Sequence, residues 1–346
     1  MSFPKSVLRV AGYIALGFVT LEIAARIDDF IRLDAPLLEP YTINRLFRPS
    51  PNGREGVPLK SFGKWQMNTL GYRGPQPVTG RQNVLAFGAS ETFGLYESAG
   101  QEFPRLLEER LNATRPSEFN VINIALPGIR IGRVAYLEEA LKRTTPRYVI
   151  IYPSPANYIG TTSPFCREAS KPVATPSSPL DHVRLTEKMN QLIKKSVSQP
   201  LMTAARRFGI WLATREHPPM DRVPESSVSA FRDDLICAVR TAQRHGAEPI
   251  LVTHATYFGS HLKAEDEPML TAWRRFYPEL REEGFLDLER RANDAVRSVA
   301  NDERLALVDA AAIVPPGPRY FADFVHFTDL GAAKIADGIA PAIAPN

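Results

Sequence analysis

Residues 83–98, NVLAFGASETFGLYES, decide the fold. Val84 to Gly88 form a short apolar, β-prone run that stops at small residues, and a helix-like run follows directly from Ser90. A strand that turns on small residues into a helix opens a βα unit. Outward from this stretch the same alternation continues. Residues 103–111 read as a helix, 120–125 (NVINIA) as a strand, 133–143 as a helix and 148–152 (YVIIY) as a strand. After an interruption come a helix over 228–245, a strand over 249–253, a long helix around 278–299, a strand over 305–308 and a last helix over 329–340. Short apolar runs alternating with amphipathic helices predict an α/β domain whose parallel sheet is covered on both faces.

The interruption begins at Ile159 and lasts about sixty residues. Its middle, LTEKMNQLIKKSVSQPLMTAARRFGIWLATR, predicts two helices broken at Pro200. Such stripes usually face a core, so the segment reads as a helical insertion on the side of the domain, and its basic amphipathic character also allows contact with a membrane surface. Residues 28–80 are irregular, rich in Pro and Gly, and read as an arm of turns and short strands. Within that arm Asn68, Tyr72 and Arg73 read as a structured turn against the domain with no assigned chemistry. The organisation is thus a hydrophobic segment over 1–27, an arm over 28–80 and a domain over 81–346 with an insertion at about 160–225.

The first segment is read from its charges. Lys5 and Arg9 precede residues 10–21, which carry no charge, and Glu22 and Arg26 close the run. A span needs about 20 apolar residues, so Val7, Leu8, Ile23, Ala24 and Ala25 must be counted in. A cleaved signal peptide, an uncleaved anchor and a buried helix are the three readings. A small-x-small cleavage site ending at Ala25 would need a small residue at Ile23, which favours the anchor. Lys5 and Arg9 put its start on the cytoplasmic side of an inner membrane and the domain in the periplasm, an asymmetry blunted by Arg26 and Arg32.

Composition narrows the partners. With 44% hydrophobic and 23% charged residues, the 346-residue chain is neither disordered nor fibrous. Its 42 Lys and Arg are scattered among 38 Asp and Glu, so the net charge of +4 forms no basic block of the kind that tracks nucleic acid. Cys166 and Cys237 would pair in an exported domain or stand as two partly buried thiols. No Cys or His cluster has the spacing of a zinc site.

In doubly wound sheets ligands sit beyond the carboxyl ends of the strands. Those ends carry Ser90, Gly128 (INIALPG), Asn157 (YPSPAN), His254 (ILVTHAT) and, after the last strand, Asp323 and His326 (FADFVHFTDLG). Serine, histidine and aspartate are the parts of an activated nucleophile: the imidazole takes the hydroxyl proton and the carboxylate fixes its tautomer. Asp323 and His326 are three residues apart, close enough for one tight turn to join them. Backbone N–H groups at Ser90 and Gly128 and the amide of Asn157 can stabilise an oxyanion. His254 reads either as a substrate contact or as a structural histidine.

These blocks, FGASETFG, NIALPGIR, YPSPANY and DFVHFT, resemble the SGNH hydrolases, also called GDSL esterases, of a bacterial membrane-anchored type. The resemblance covers about 84–340. It implies a flavodoxin-like three-layer α/β/α sandwich, ester hydrolysis or acyl transfer, and no metal or organic cofactor. It implies Ser90 as nucleophile, His326 as base, Asp323 as its orienting acid, and Ser90, Gly128 and Asn157 as the oxyanion hole. Ala89 stands where the family's Asp is common, and Pro155 and Tyr158 flank Asn157 where the family has G-x-N-D. The G-x-S-x-G elbow of α/β-hydrolases fails at Thr92. The expected substrates are acyl esters of cell-envelope carbohydrate or lipid. The contrasting expectation is an inactive binding or assembly protein that keeps the fold.

Overall fold

A computed structural model describes residues 5–33, 35–168, 171–172, 183–215, 218–259 and 261–345. The chain begins with helix α1 (Lys5–Leu33), followed by two small antiparallel hairpins, β1 (Phe47–Ser50) with β2 (Gly53–Gly56) and β3 (Ser61–Phe62) with β4 (Trp65–Gln66). The domain then runs β5 (Gln82–Gly88), α2 (Ser90–Phe93), α3 (Phe103–Thr114), β6 (Phe119–Asn123), α4 (Val134–Thr144) and β7 (Tyr148–Tyr152). The insertion supplies α5 (Arg184–Ser196) and α6 (Gln199–Thr214). After it come α7 (Glu225–Arg244), β8 (Glu248–Val252), α8 (Glu267–Phe276), α9 (Glu282–Asp302), β9 (Ala306–Val308), α10 (Ala310–Ile313) and α11 (Asp329–Ile343).

The five domain strands form one parallel sheet in the order β6-β5-β7-β8-β9. Side chains alternate across it with period two. Val84 and Ala86 of β5 join a core with Leu107 of α3 and Ile335 of α11, while Leu85 and Phe87 join a second core with Leu137 of α4 and Leu235 of α7. The result is a three-layer α/β/α sandwich. Because the chain moves from β5 to β6 and then crosses back to β7, the connections leaving β5 and β7 part to opposite faces, which opens a crevice above their carboxyl ends.

The predicted strands and helices are present, with boundaries shifted by a few residues. Helix α1 runs six residues past the expected limit of the hydrophobic segment. Strand β6 stops at Asn123, two residues early, where the side chain of Asn123 accepts from the backbone of Ala125 and its carbonyl accepts from Arg73 of the arm. Helix α8, absent from the sequence reading, starts beside Pro268 and packs Trp273 into the core. The break at Pro200 is a helix start, with Pro200 in the first turn of α6, where its missing N–H costs nothing. Parts of the Pro-rich flanks of the insertion lie outside the described residues. Cys166 and Cys237 form a disulfide that ties the turn Phe165–Arg167 to α7.

Helix α1 contains a stretch, Arg9–Leu33, long and apolar enough to cross a membrane, and almost none of it is buried. A signal sequence has the same length and composition.

Candidate active site

Strand β5 delivers Ser90 to the crevice. At Gly88 the backbone passes so close to β7 and α2 that a Cβ would collide with Thr92 and with the carbonyl of Tyr152. Glycine there lets the chain turn sharply into α2, whose first residue is Ser90 and whose N-cap, Ala89, offers no side-chain cap. The Ser90 hydroxyl donates to Glu91 (Oγ to Oε2, 3.1 Å). Ser154, just beyond β7, donates to the other oxygen of Glu91 at 2.9 Å, which joins the first and third strand ends.

Asp323 and His326 form the local pair that their spacing predicts. The carboxylate of Asp323 receives the backbone N–H groups of Val325 and His326 on Oδ1 and meets His326 Nδ1 through Oδ2 at 2.8 Å. His326 Nε2 is buried and has no hydrogen-bond partner among the described residues. Burial disfavours the imidazolium, but the Asp323 hydrogen bond and the negative charges of Glu91, Asp323 and Glu97 outweigh it and raise the pKa of His326. The Ser90 and His326 segments are fastened together. Tyr96 lies against the His326 ring, with centroids 4.9 Å apart, and the backbone N–H of Ser98 donates to Asp329 at the start of α11 at 2.7 Å. Burial pushes Glu97, in the same loop, up to about 7.

The segments that carry Gly128 and Asn157 also meet. Gly128 is exposed at φ +74°, in the region that favours glycine, and the amide of Asn157 donates to the neighbouring Ile129 carbonyl at 3.1 Å. Arg130 donates to the Asn157 carbonyl, so the second and third strand ends form one rim. Pro155 and Tyr158 place Asn157 in a turn of 3₁₀ helix, Pro155–Tyr158, which shows its amide to that rim.

His254 is enclosed. Its Nδ1 lies 2.7 Å from Glu289 Oε2 and its Nε2 lies 3.2 Å from Glu91 Oε1, while Asn293 brackets its backbone N–H and carbonyl. Burial disfavours the charged ring, yet the two carboxylates raise its pKa, and the same contact holds Glu91 well below the usual carboxylate range despite its own burial. The chain Ser90–Glu91–His254–Glu289 is therefore a buried hydrogen-bonded line running from the serine into the domain. A cavity of about 740 Å³ is lined by His254, Thr256, Phe258, Glu289 and Asn293 among others, and Ser90 is not among its lining residues.

Sequence reasoning missed Glu91, Ser154 and Glu289. The one signal available was a carboxylate beside the serine in an otherwise apolar and small-residue run. It also left Arg73 without a role. Arg73 is buried, pairs with Glu102 through two nitrogens (2.7 and 3.2 Å), and donates to the carbonyl of Gly94 at 3.1 Å, so the arm braces the end of α2 from behind.

No family model matches the chain, and no curated protein matches it. Solved structures do. One is a lipolytic protein of the G-D-S-L family from Desulfitobacterium hafniense, at 12% identity and a TM-score of 0.42, covering 76% of this chain and all of that one. Another is an acetylxylan esterase from Geobacillus stearothermophilus, solved as a catalytic mutant, at 13% identity and a TM-score of 0.45 over 77% of this chain and 95% of that one. A lipase/acylhydrolase from Enterococcus faecalis matches at 16% identity and a TM-score of 0.43, over 77% and 98%. Likeness at this level carries no weight for chemistry, which must come from the side chains of this chain.

Proposed function

We propose that this protein is a serine-dependent ester hydrolase or O-acyltransferase of the SGNH type, with Ser90, His326 and Asp323 as its reacting set. The observation that carries the reading is the imidazole of His326, held through Nδ1 by Asp323, with Nε2 unpaired among the described residues and the segment tied to the Ser90 loop. In this mechanism the Ser90 hydroxyl turns from Glu91 toward Nε2. His326 takes its proton as Oγ attacks the ester carbonyl, and the oxyanion meets N–H groups of Ser90 and Gly128 and the amide of Asn157. The tetrahedral intermediate collapses, the alcohol leaves with the proton from His326, and water or an acceptor hydroxyl then takes the acyl group by the reverse sequence. His254, clamped between two carboxylates, acts behind the reacting set by holding Glu91 ionised.

The same proposal places α1 across the inner membrane and the domain in the periplasm, where acyl esters of envelope carbohydrate or lipid would be the substrates. The free apolar stretch of α1 supports it, and so does the Cys166–Cys237 disulfide, which an oxidising compartment sustains. The test is labelling of the purified protein with a fluorophosphonate probe. Labelling that disappears in Ser90→Ala and His326→Ala supports the reading. No labelling, or labelling retained in Ser90→Ala, sinks it and leaves a binding protein on the same fold.

A further inference from the structure

Helix α6 carries Leu201, Ala205, Phe208 and Leu212 on one side, with Trp211 alongside. Spacing of i, i+4, i+7 and i+11 makes one stripe, the face a helix ordinarily buries. Here that stripe points away from the protein. The helix packs on α8, and the residues it buries are Thr203 and Ile210. Arg207 pairs with Glu267 at its edge. Leu201, Phe208 and Trp211 are 62%, 63% and 58% exposed, with the last two rings stacked at 5.7 Å. Helix α5 repeats the arrangement, with Met189, Leu192 and Ile193 exposed on one side. Two successive helices with apolar faces outward are not the surface of a protein that meets only water.

What covers them is indicated by where the insertion is fastened. The carboxylate of Glu22 accepts the backbone N–H groups of Arg184 and Leu185 at 3.0 and 2.9 Å, capping α5 from α1. Arg184, itself buried, pairs with Asp29, and Lys188 pairs with Asp28 and Asp29. Glu22 is the residue that ends the uncharged run of α1, so α5 starts where the apolar stretch stops, with no spacer between. Glu22 closes the uncharged run, so the body fastened there is carried at the end of that run, on the side of the domain. An aromatic pair with leucines beside it is what that boundary accommodates.

We infer that the outward faces of α5 and α6 lie in the lipid interface on the domain's side of the membrane, so that the protein is held by a flat contact as well as by α1. The inference rests on the proposal that α1 is inserted. It is tested with the full chain in phosphatidylcholine–phosphatidylglycerol vesicles whose acyl chains are brominated. The protein's three tryptophans are Trp65, Trp211 and Trp273; none lies in α1, and Trp273 is fully buried. Bromolipid is expected to quench about a third of the emission, the share of one tryptophan in three, and Trp211→Phe is expected to abolish the quenching. Carbonate-resistant protein with unquenched Trp211 overturns the α5–α6 contact alone. So does a blue-shifted but unquenched Trp211, which means a second copy covers the face. Release of the chain by carbonate overturns the insertion of α1 and the contact with it.

Discussion

At the scale of single residues, the surroundings of His326 set the pH response expected of the proposed mechanism. Burial pulls its pKa down, but Asp323, Glu91 and Glu97 together raise it above the ordinary 6.5. In the proposed mechanism His326 is the general base and must be neutral, so the acid limb of kcat/KM against a soluble ester should fall above pH 6.5, activity rising as pH climbs through the raised value. Asp323→Asn should move that limb to lower pH and cut kcat/KM by about 10²- to 10⁴-fold, read from a pH–rate profile. His254 calls for a different measurement. His254→Gln leaves Glu91 and Glu289 buried without their cation, and should cost about 3–5 kcal/mol in urea unfolding. Asp323 and His326 were readable because a local turn needs only their spacing. Glu91 was not, since its partners are 163 and 63 residues away in His254 and Ser154.

At the scale of elements, the arm and the disulfide decide how firmly the strand ends are held. Arg73 reaches from the arm to Glu102 at the start of α3 and to Gly94 at the end of α2, all of it buried. Arg73→Ala should destabilise by about 3–5 kcal/mol, and Glu102→Ala in the same chain should recover part of that loss by removing the orphaned carboxylate. A smaller rate of probe labelling at Ser90 is expected alongside, because the segment after the serine loses its brace. The Cys166–Cys237 crosslink spans 71 residues that include α5 and α6, and in the chain-entropy account its removal costs about 4 kcal/mol. Unfolding of Cys166→Ser/Cys237→Ser compared with the parent protein checks this. The arm's composition announced turns, but nothing in it distinguished Arg73 from any surface arginine until β6 came alongside.

At the scale of the whole molecule, the buried Glu91–His254–Glu289 cluster gives global stability a pH dependence of defined sign. An unfolded histidine loses its proton near 6.5 while folded His254 keeps it, so this contribution is complete below 6.5 and is lost as pH rises through the higher folded value. Glu91 behaves oppositely: its contribution is present above 4.5 and is lost as pH falls through its depressed folded value. Urea midpoints measured from pH 4 to 10 should decline on the alkaline side, and His254→Gln should flatten that decline. The sequence by itself determined the alternation of strands and helices, the three-layer class, the residues at the strand ends and the break at Pro200, because periodicity, turn chemistry and spacing are local properties. Only the tertiary structure decided the pairing of Cys166 with Cys237, the enclosure of His254, the work of Arg73 and the outward apolar face of α6. Each of these depends on which distant segment lies opposite, and a side chain's charge state, satisfaction and exposure are set by its neighbours in space rather than by those along the chain.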